Sequence, residues 1–152
     1  MKLISWNVNG LRAVNNKGYF AEILKVGPDI LCLQETKAEA EQLLTSVRSP
    51  QGYFSYFSHS KTRKGYSGVA VYSKIKPEKV EEGMGIFDMD QEGRLLIAYY
   101  KDFVLLNCYF PNGGGGPERL KYKLEFYDNF LIVIEKLRKK GNKIIICGDI
   151  NT

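Results

Sequence analysis

Apolar residues along the chain alternate between short strand-like runs and helical stripes. Lys2–Asn7 (KLISWN) is the first such run, broken by Asn9-Gly10. A helical pattern follows with Phe20, Ile23 and Leu24 on one face. Gly27-Pro28 closes it, a glycine at the carboxyl cap with a proline behind. Asp29–Gln34 (DILCLQ) is almost continuously apolar and predicts a buried strand. Ala38–Val47 predicts a second helix, ended by Pro50 and Gly52. Tyr53–Ser58, Gly68–Ser73, Arg94–Tyr100 and Phe103–Phe110 predict four more strands separated by turn chemistry. The best-defined helix starts at Pro117, a residue suited to a first turn. Its predicted apolar stripe is Leu120, Leu124, Tyr127, Leu131, Ile134 and Leu137. Lys136, Arg138, Lys139 and Lys140 crowd its end, where the helix dipole favours cations, and Gly141 stops it. Lys143–Asn151 (KIIICGDIN) is the last strand. No repeat, low-complexity segment or linker interrupts the series, which predicts sheets covered by helices on the outside.

Composition changes this picture little. The 152 residues suit one domain, and 44% hydrophobic with 26% charged residues is ordinary for a globular chain. A net charge of +5 is compatible with a polyanionic partner and equally with a basic solvated surface. The loop His59–Tyr66, with Lys61, Arg63 and Lys64, admits the same two readings. Cys32, Cys108 and Cys147 each sit in an apolar run, which predicts reduced, buried thiols in an intracellular protein. No stretch approaches the ~20 apolar residues of a membrane span, and no amino-terminal targeting segment is visible.

The candidate chemistry lies at strand ends. Asn7 and Asn9, Glu35, Asn112, then Asp149 and Asn151 follow four of the apolar runs. Such residues cap helices and build turns. Together, at the carboxyl ends of helix-covered strands, they also describe a converging site. Oxygen donors without a His or Cys cluster suit Mg²⁺, with Mn²⁺ as the other choice. The single histidine, His59, lies in a polar loop, which argues against a serine or cysteine nucleophile with a histidine base. Gly113–Gly116 lacks the spacing of a phosphate-binding P-loop and reads as a flexible lead into the helix at Pro117.

Six segments, in order, carry a resemblance: WNVNGLRA (Trp6–Ala13), PDILCLQETK (Pro28–Lys37), GYSGVAVYSK (Gly65–Lys74), DQEGRLL (Asp90–Leu96), YFPNGG (Tyr109–Gly114) and CGDIN (Cys147–Asn151). In order and spacing the chain resembles the exonuclease III family, the class II apurinic/apyrimidinic endonucleases of the endonuclease/exonuclease/phosphatase superfamily. The resemblance implies an α/β fold: a four-layer α/β/β/α sandwich of two mixed sheets, DNase I-like, with residues 1–152 forming a partial domain. It also implies Mg²⁺-dependent cleavage 5′ to abasic sites in double-stranded DNA, with 3′→5′ exonuclease and 3′-phosphodiesterase activity at 3′ ends.

Carried over by position, Glu35 matches the family's metal-binding glutamate, and Asn9 falls near the metal. Asp149 matches the aspartate that orients or deprotonates the attacking water and, with Asn151 beside it, is also placed at the metal. Asn7 matches the asparagine that holds that aspartate, and Tyr109 the tyrosine at the scissile phosphate. Asn112 lies in the same phosphate-contacting stretch, and Arg94 and Arg119 fall at positions expected to bind DNA or phosphate or to support the site. The family's later Asp and Asp–His motifs are not among these residues. The resemblance therefore implies that a carboxyl-terminal part is missing and that the chain alone is weak or inactive. It also implies bare sheet edges that invite self-association or a carboxyl-terminal partner chain. The expected location is cytoplasmic, or nuclear in a eukaryote. A non-catalytic nucleic-acid-binding module and a small-substrate phosphatase are the other readings.

Overall fold

A computed structural model describes residues 1–152 as two four-stranded sheets packed face to face. The strands are β1 (Leu3–Asn7), β2 (Ile30–Gln34), β3 (Phe54–Ser58), β4 (Val69–Ser73), β5 (Lys79–Glu82), β6 (Leu95–Tyr99), β7 (Val104–Tyr109) and β8 (Ile144–Asp149). One sheet runs β1-β2-β4-β3 and the other β5-β6-β7-β8. In each, one parallel pair adjoins antiparallel partners: β1 with β2, and β7 with β8. Both sheets are thus mixed, as expected.

The helices are α1 (Leu11–Asn16), α2 (Tyr19–Lys25), α3 (Thr45–Arg48), α4 (Phe87–Asp90) and α5 (Pro117–Lys139). Phe20 of α2, with Leu11 and Val14 of α1, packs on Leu31, Leu33, Ala70 and Tyr72, on the outer face of the first sheet. Phe126, Phe130 and Leu137 of α5 pack on Leu95, Ile97, Leu106 and Cys108, on the outer face of the second. Between the sheets lie Ile30, Cys32, Val69, Val71, Leu96, Ala98 and Leu105. Strands β2, β4 and β7 are buried on both faces, which explains their unbroken apolar sequences.

Several expectations need correction. The first helical pattern is two helices, because Gly18 adopts a left-handed φ of 80° between them. Ala38–Val47 is not one helix but a 3₁₀ turn at Ala40–Gln42 and the single turn of α3. Strand β5 and helix α4 carry no apolar run long enough to announce them. In α5 the buried stripe lies roughly a quarter turn from the predicted one, at 100° per residue. Leu120, Leu124 and Leu131 are exposed, whereas Phe126 and Phe130 are buried. Aromatic rings bury more area than leucines and set the helix rotation; both stack edge-on against Phe110, at 5.7 and 4.8 Å between centroids. The three cysteines are free thiols, but Cys147 is only half-buried, because β8 is an outer strand.

One polar contact crosses the core. Gln34 Nε2 donates to Asn107 Oδ1 at 2.8 Å, and Asn107 Nδ2 donates to the carbonyls of Leu33 and Ala70. Asn107 has no exposed surface, so losing one partner costs about 1–3 kcal/mol. The contact ties the two sheets together one residue before Glu35.

Candidate active site

The parallel pairs explain why distant residues meet. Parallel strands end at the same rim, so β1 and β2 deliver Asn7 and Glu35 to one end of their sheet. Strands β7 and β8 deliver Tyr109 and Asp149 to one end of theirs. Because β1 lies against β8 across the sandwich, the two rims coincide. Within the second sheet, Gly148 lets β8 lie close against β7: a Cβ there would sit 1.9 Å from the carbonyl oxygen of Cys108.

Asn7 is the centre of the group. Its Nδ2 donates to Glu35 Oε1 at 2.9 Å and to Asp149 Oδ2 at 2.6 Å, and its Oδ1 accepts the Asn9 N–H at 3.0 Å. Asp149 Oδ1 accepts the Asn151 N–H at 3.0 Å, and Asn151 Nδ2 donates to the Phe110 carbonyl at 2.8 Å. Lys123 Nζ holds the Asn151 carbonyl. Asn7, Asp149 and Asn151 line an open cleft of about 640 Å³ with Ser5, Gln34 and Gly148.

Lys37, which the sequence reading passed over, reaches Glu35 Oε2 at 3.0 Å and also donates to Asn9 Oδ1. Burial opposes ionisation of Glu35. Hydrogen bonds from Asn7, Tyr109 and Lys37 outweigh it and hold the carboxyl below its usual value. Tyr109 is pushed up to about 12, first by burial and then by the Glu35 carboxylate beside its hydroxyl, with Asn151 and Arg94 opposing. Asn9, Glu35, Lys37 and Asn151 all adopt positive φ, between 44° and 55°. Strain of this kind, about 1–3 kcal/mol per residue, persists only where surrounding contacts impose it, and here it collects around one pocket.

The donor set fits a hard divalent cation. Two carboxylates with amide oxygens and open positions are what Mg²⁺ accepts, and the Lys37 ammonium already lies between Glu35 and Asn9. No cluster of three or more His, Cys, Asp or Glu residues forms anywhere in the chain.

The remaining predicted residues sit beside this pocket. Arg94 is 2% exposed, which suits the supporting one of the two roles expected from sequence. Its Nε meets Glu92 Oε2 at 2.6 Å, Nη1 donates to the Tyr109 carbonyl at 2.9 Å, and Nη2 to the Tyr66 hydroxyl at 3.1 Å. The guanidinium carbon lies 4.7 Å from the Tyr109 ring centroid. Arg119 is likewise engaged, at Glu92, Tyr66 and the Asn112 carbonyl. The Asn112 side chain accepts the Gly114 N–H at 2.6 Å and turns the chain toward α5. Glu92 was legible only as part of a motif; nothing local signals that two arginines share it.

The model of the Endonuclease/Exonuclease/phosphatase family matches residues 4–152. The exodeoxyribonuclease of Bacillus subtilis is 42% identical over 152 residues, 99% of this chain and 58% of that protein. The DNA repair nuclease APEX1 of Danio rerio is 38% identical over 99% of this chain and 49% of its own length. The chain thus spans about half the length of these relatives. Among solved structures, the catalytic domain of Xenopus laevis APE2 superposes with a TM-score of 0.87 at 35% identity, over all of this chain and 59% of that one. The 3′ phosphatase NExo from Neisseria, bound to product DNA hairpin, gives 0.85 at 27% identity, over 99% and 58%.

Proposed function

The chain belongs to the endonuclease/exonuclease/phosphatase family, and we propose that it is the amino-terminal part of a DNA-repair nuclease. Its reaction is metal-dependent hydrolysis of DNA phosphodiesters, 5′ to abasic sites and at 3′ ends. The observation that carries this reading is the Asn7 amide bridging Glu35 and Asp149 at the common rim of both sheets.

In this reading Asp149 accepts the proton of the attacking water. Its carboxylate offers about four lone-pair sites, and two are filled by Asn7 and the Asn151 N–H. Asn7 keeps the carboxylate aimed, because its amide cannot rotate without breaking the bond to Glu35 as well. Tyr109, with a phenol that stays protonated, donates toward a phosphoryl oxygen as negative charge grows there. Glu35 and Asn9, with Asp149 and Asn151, would hold Mg²⁺ or Mn²⁺, which supplies Lewis-acid neutralisation of the phosphate. The water attacks phosphorus, the P–O3′ bond breaks, and the 3′ oxygen of the preceding nucleotide leaves and takes a proton from solvent.

A duplex with one abasic site, labelled on the damaged strand, tests the proposal. Incubation with Mg²⁺ and a polypeptide supplying the relatives' carboxyl-terminal half is expected to yield a 3′-hydroxyl product ending just 5′ of the lesion, and chelation to abolish it. Binding without cleavage in either metal would support the non-catalytic module instead. The similarity to an exodeoxyribonuclease and a DNA repair nuclease favours the nuclease.

A further inference from the structure

We propose that Glu92 is a positioning residue for this reaction, holding Tyr109 and Asn112 in place through Arg94 and Arg119. The inference rests on the reading of Tyr109 as a group that meets the phosphate.

Glu92 stands outside the metal pocket, yet both arginines converge on it. Its Oε2 takes Arg94 Nε at 2.6 Å and Arg119 Nη2 at 2.9 Å, while Oε1 takes Arg119 Nη1 at 3.0 Å. Each arginine spends a remaining donor on a main-chain carbonyl of the site loop: Arg94 on Tyr109 at 2.9 Å, Arg119 on Asn112 at 3.2 Å. Both also donate to the Tyr66 hydroxyl, at 3.1 and 3.0 Å. One carboxylate therefore ties together the entry to β6, the end of β7, the loop after it and the first turn of α5.

The fork geometry of the guanidinium makes the tie directional, since donors fixed in one plane meet the carboxylate and the carbonyl together. Gly93, next to Glu92, lets this segment lie directly on the loop at His59: its φ is 62°, and a Cβ there would lie 2.3 Å from the His59 backbone. The balance of charge is the second feature. Two guanidiniums against one carboxylate leave the group at about +1, beneath the loop that faces the cleft. Without the carboxylate the two cations would share only Tyr66, and Arg94, buried beneath the Tyr109 ring, could not turn to water. Repulsion would then move Arg119, and with it Asn112.

A positioning role and a simple DNA contact predict opposite effects of Glu92→Gln, because the variant raises the local charge toward +2. Three measurements on the chain decide: duplex affinity in chelator at low salt, kcat and KM with Mg²⁺, and the ring resonances of ¹³C-labelled tyrosines, with Tyr109 assigned by Tyr109→Phe. We expect kcat to fall on the order of 10–100-fold, the scale of an ångström-sized misplacement. KM and Kd should stay level or drop, and the Tyr109 ring signal should shift. Arg119→Lys, at a partly exposed site, should keep affinity and lose part of kcat, and it carries the test if Glu92→Gln does not fold. An unmoved Tyr109 resonance, an unchanged kcat, or affinity lost in step with kcat would overturn the proposal. Absence of turnover by the wild-type chain alone is what a missing carboxyl-terminal part implies; kcat and KM are then read with a polypeptide supplying that part, and the Tyr109 resonance decides the role of Glu92 in either case.

Discussion

Asn7 and Asp149 are 142 residues apart in the chain, yet Asn7 Nδ2 lies 2.6 Å from Asp149 Oδ2. The same amide nitrogen spends its other hydrogen on Glu35. Asn7→Ala removes the donor between two facing carboxylates and leaves them to repel. Hydrolysis at abasic sites should fall on the order of 100-fold, as for loss of a preorganised hydrogen-bonding group. Single-turnover rates measure this; a variant within twofold of wild type would show that the bridge is not needed.

Lys37 contacts both Glu35 and Asn9, the residues proposed to hold the cation. At an effective dielectric of about 20, two unit charges at 4 Å interact by about 4 kcal/mol, so an ammonium 3.0 Å from Glu35 opposes metal binding appreciably. Lys37→Met is therefore expected to bind Mg²⁺ or Mn²⁺ roughly tenfold more tightly by calorimetric titration. Weaker binding would mean that Lys37 supports the pocket rather than competing in it.

Acid should act through Glu92. Burial pushes its carboxyl up, but Arg119 and Arg94 together bring it below the usual value near 4.5. Its pairing thus stabilises the fold above that value, and the contribution is lost as pH falls through the lowered one. Wild type should exceed Glu92→Gln in urea midpoint at pH 7, and the gap should narrow as pH falls below 4.5. A gap independent of pH would assign the effect to packing.

The loop from His59 to Tyr66 presents Lys61, Arg63 and Lys64 to solvent, with Arg63 5.0 Å from the Tyr66 ring centroid. If they follow a phosphate backbone, duplex affinity will fall linearly with salt on logarithmic axes. The triple alanine variant should then bind more weakly, with a slope shallower by up to about 3. Identical slopes would leave the loop a solvated surface.

Strands β1 and β8 lie on the same side of the sandwich, and neither has an outer neighbour. Ile4, Trp6, Tyr19, Ile23 and Val26 line an apolar cleft of about 600 Å³ beside β1, and Ile146 of β8 is 50% exposed. Open edges beside apolar surface recruit other chains. Sedimentation velocity of the chain alone is expected to show concentration-dependent association. A single monomeric species across the range would refute it.

Much of this architecture was legible in the residues. DILCLQ predicted a buried strand, Pro117 and Gly141 bounded the long helix, and alternating strands and helices implied covered sheets. The types of the site residues were legible too, because Asn7, Glu35, Tyr109 and Asp149 end or follow apolar runs. Local pattern acts over one turn or one pleat, so it could not rotate α5, where Phe126 and Phe130 compete with Leu124 and Leu131 for a surface 16 or more residues away in sequence. Nor could it assign Arg94, whose partners Tyr66 and Tyr109 lie 28 and 15 residues distant. Whether an arginine meets a phosphate or a buried carboxylate depends on what tertiary packing brings to it. The same packing places a lysine between Glu35 and Asn9 and one asparagine between two carboxylates.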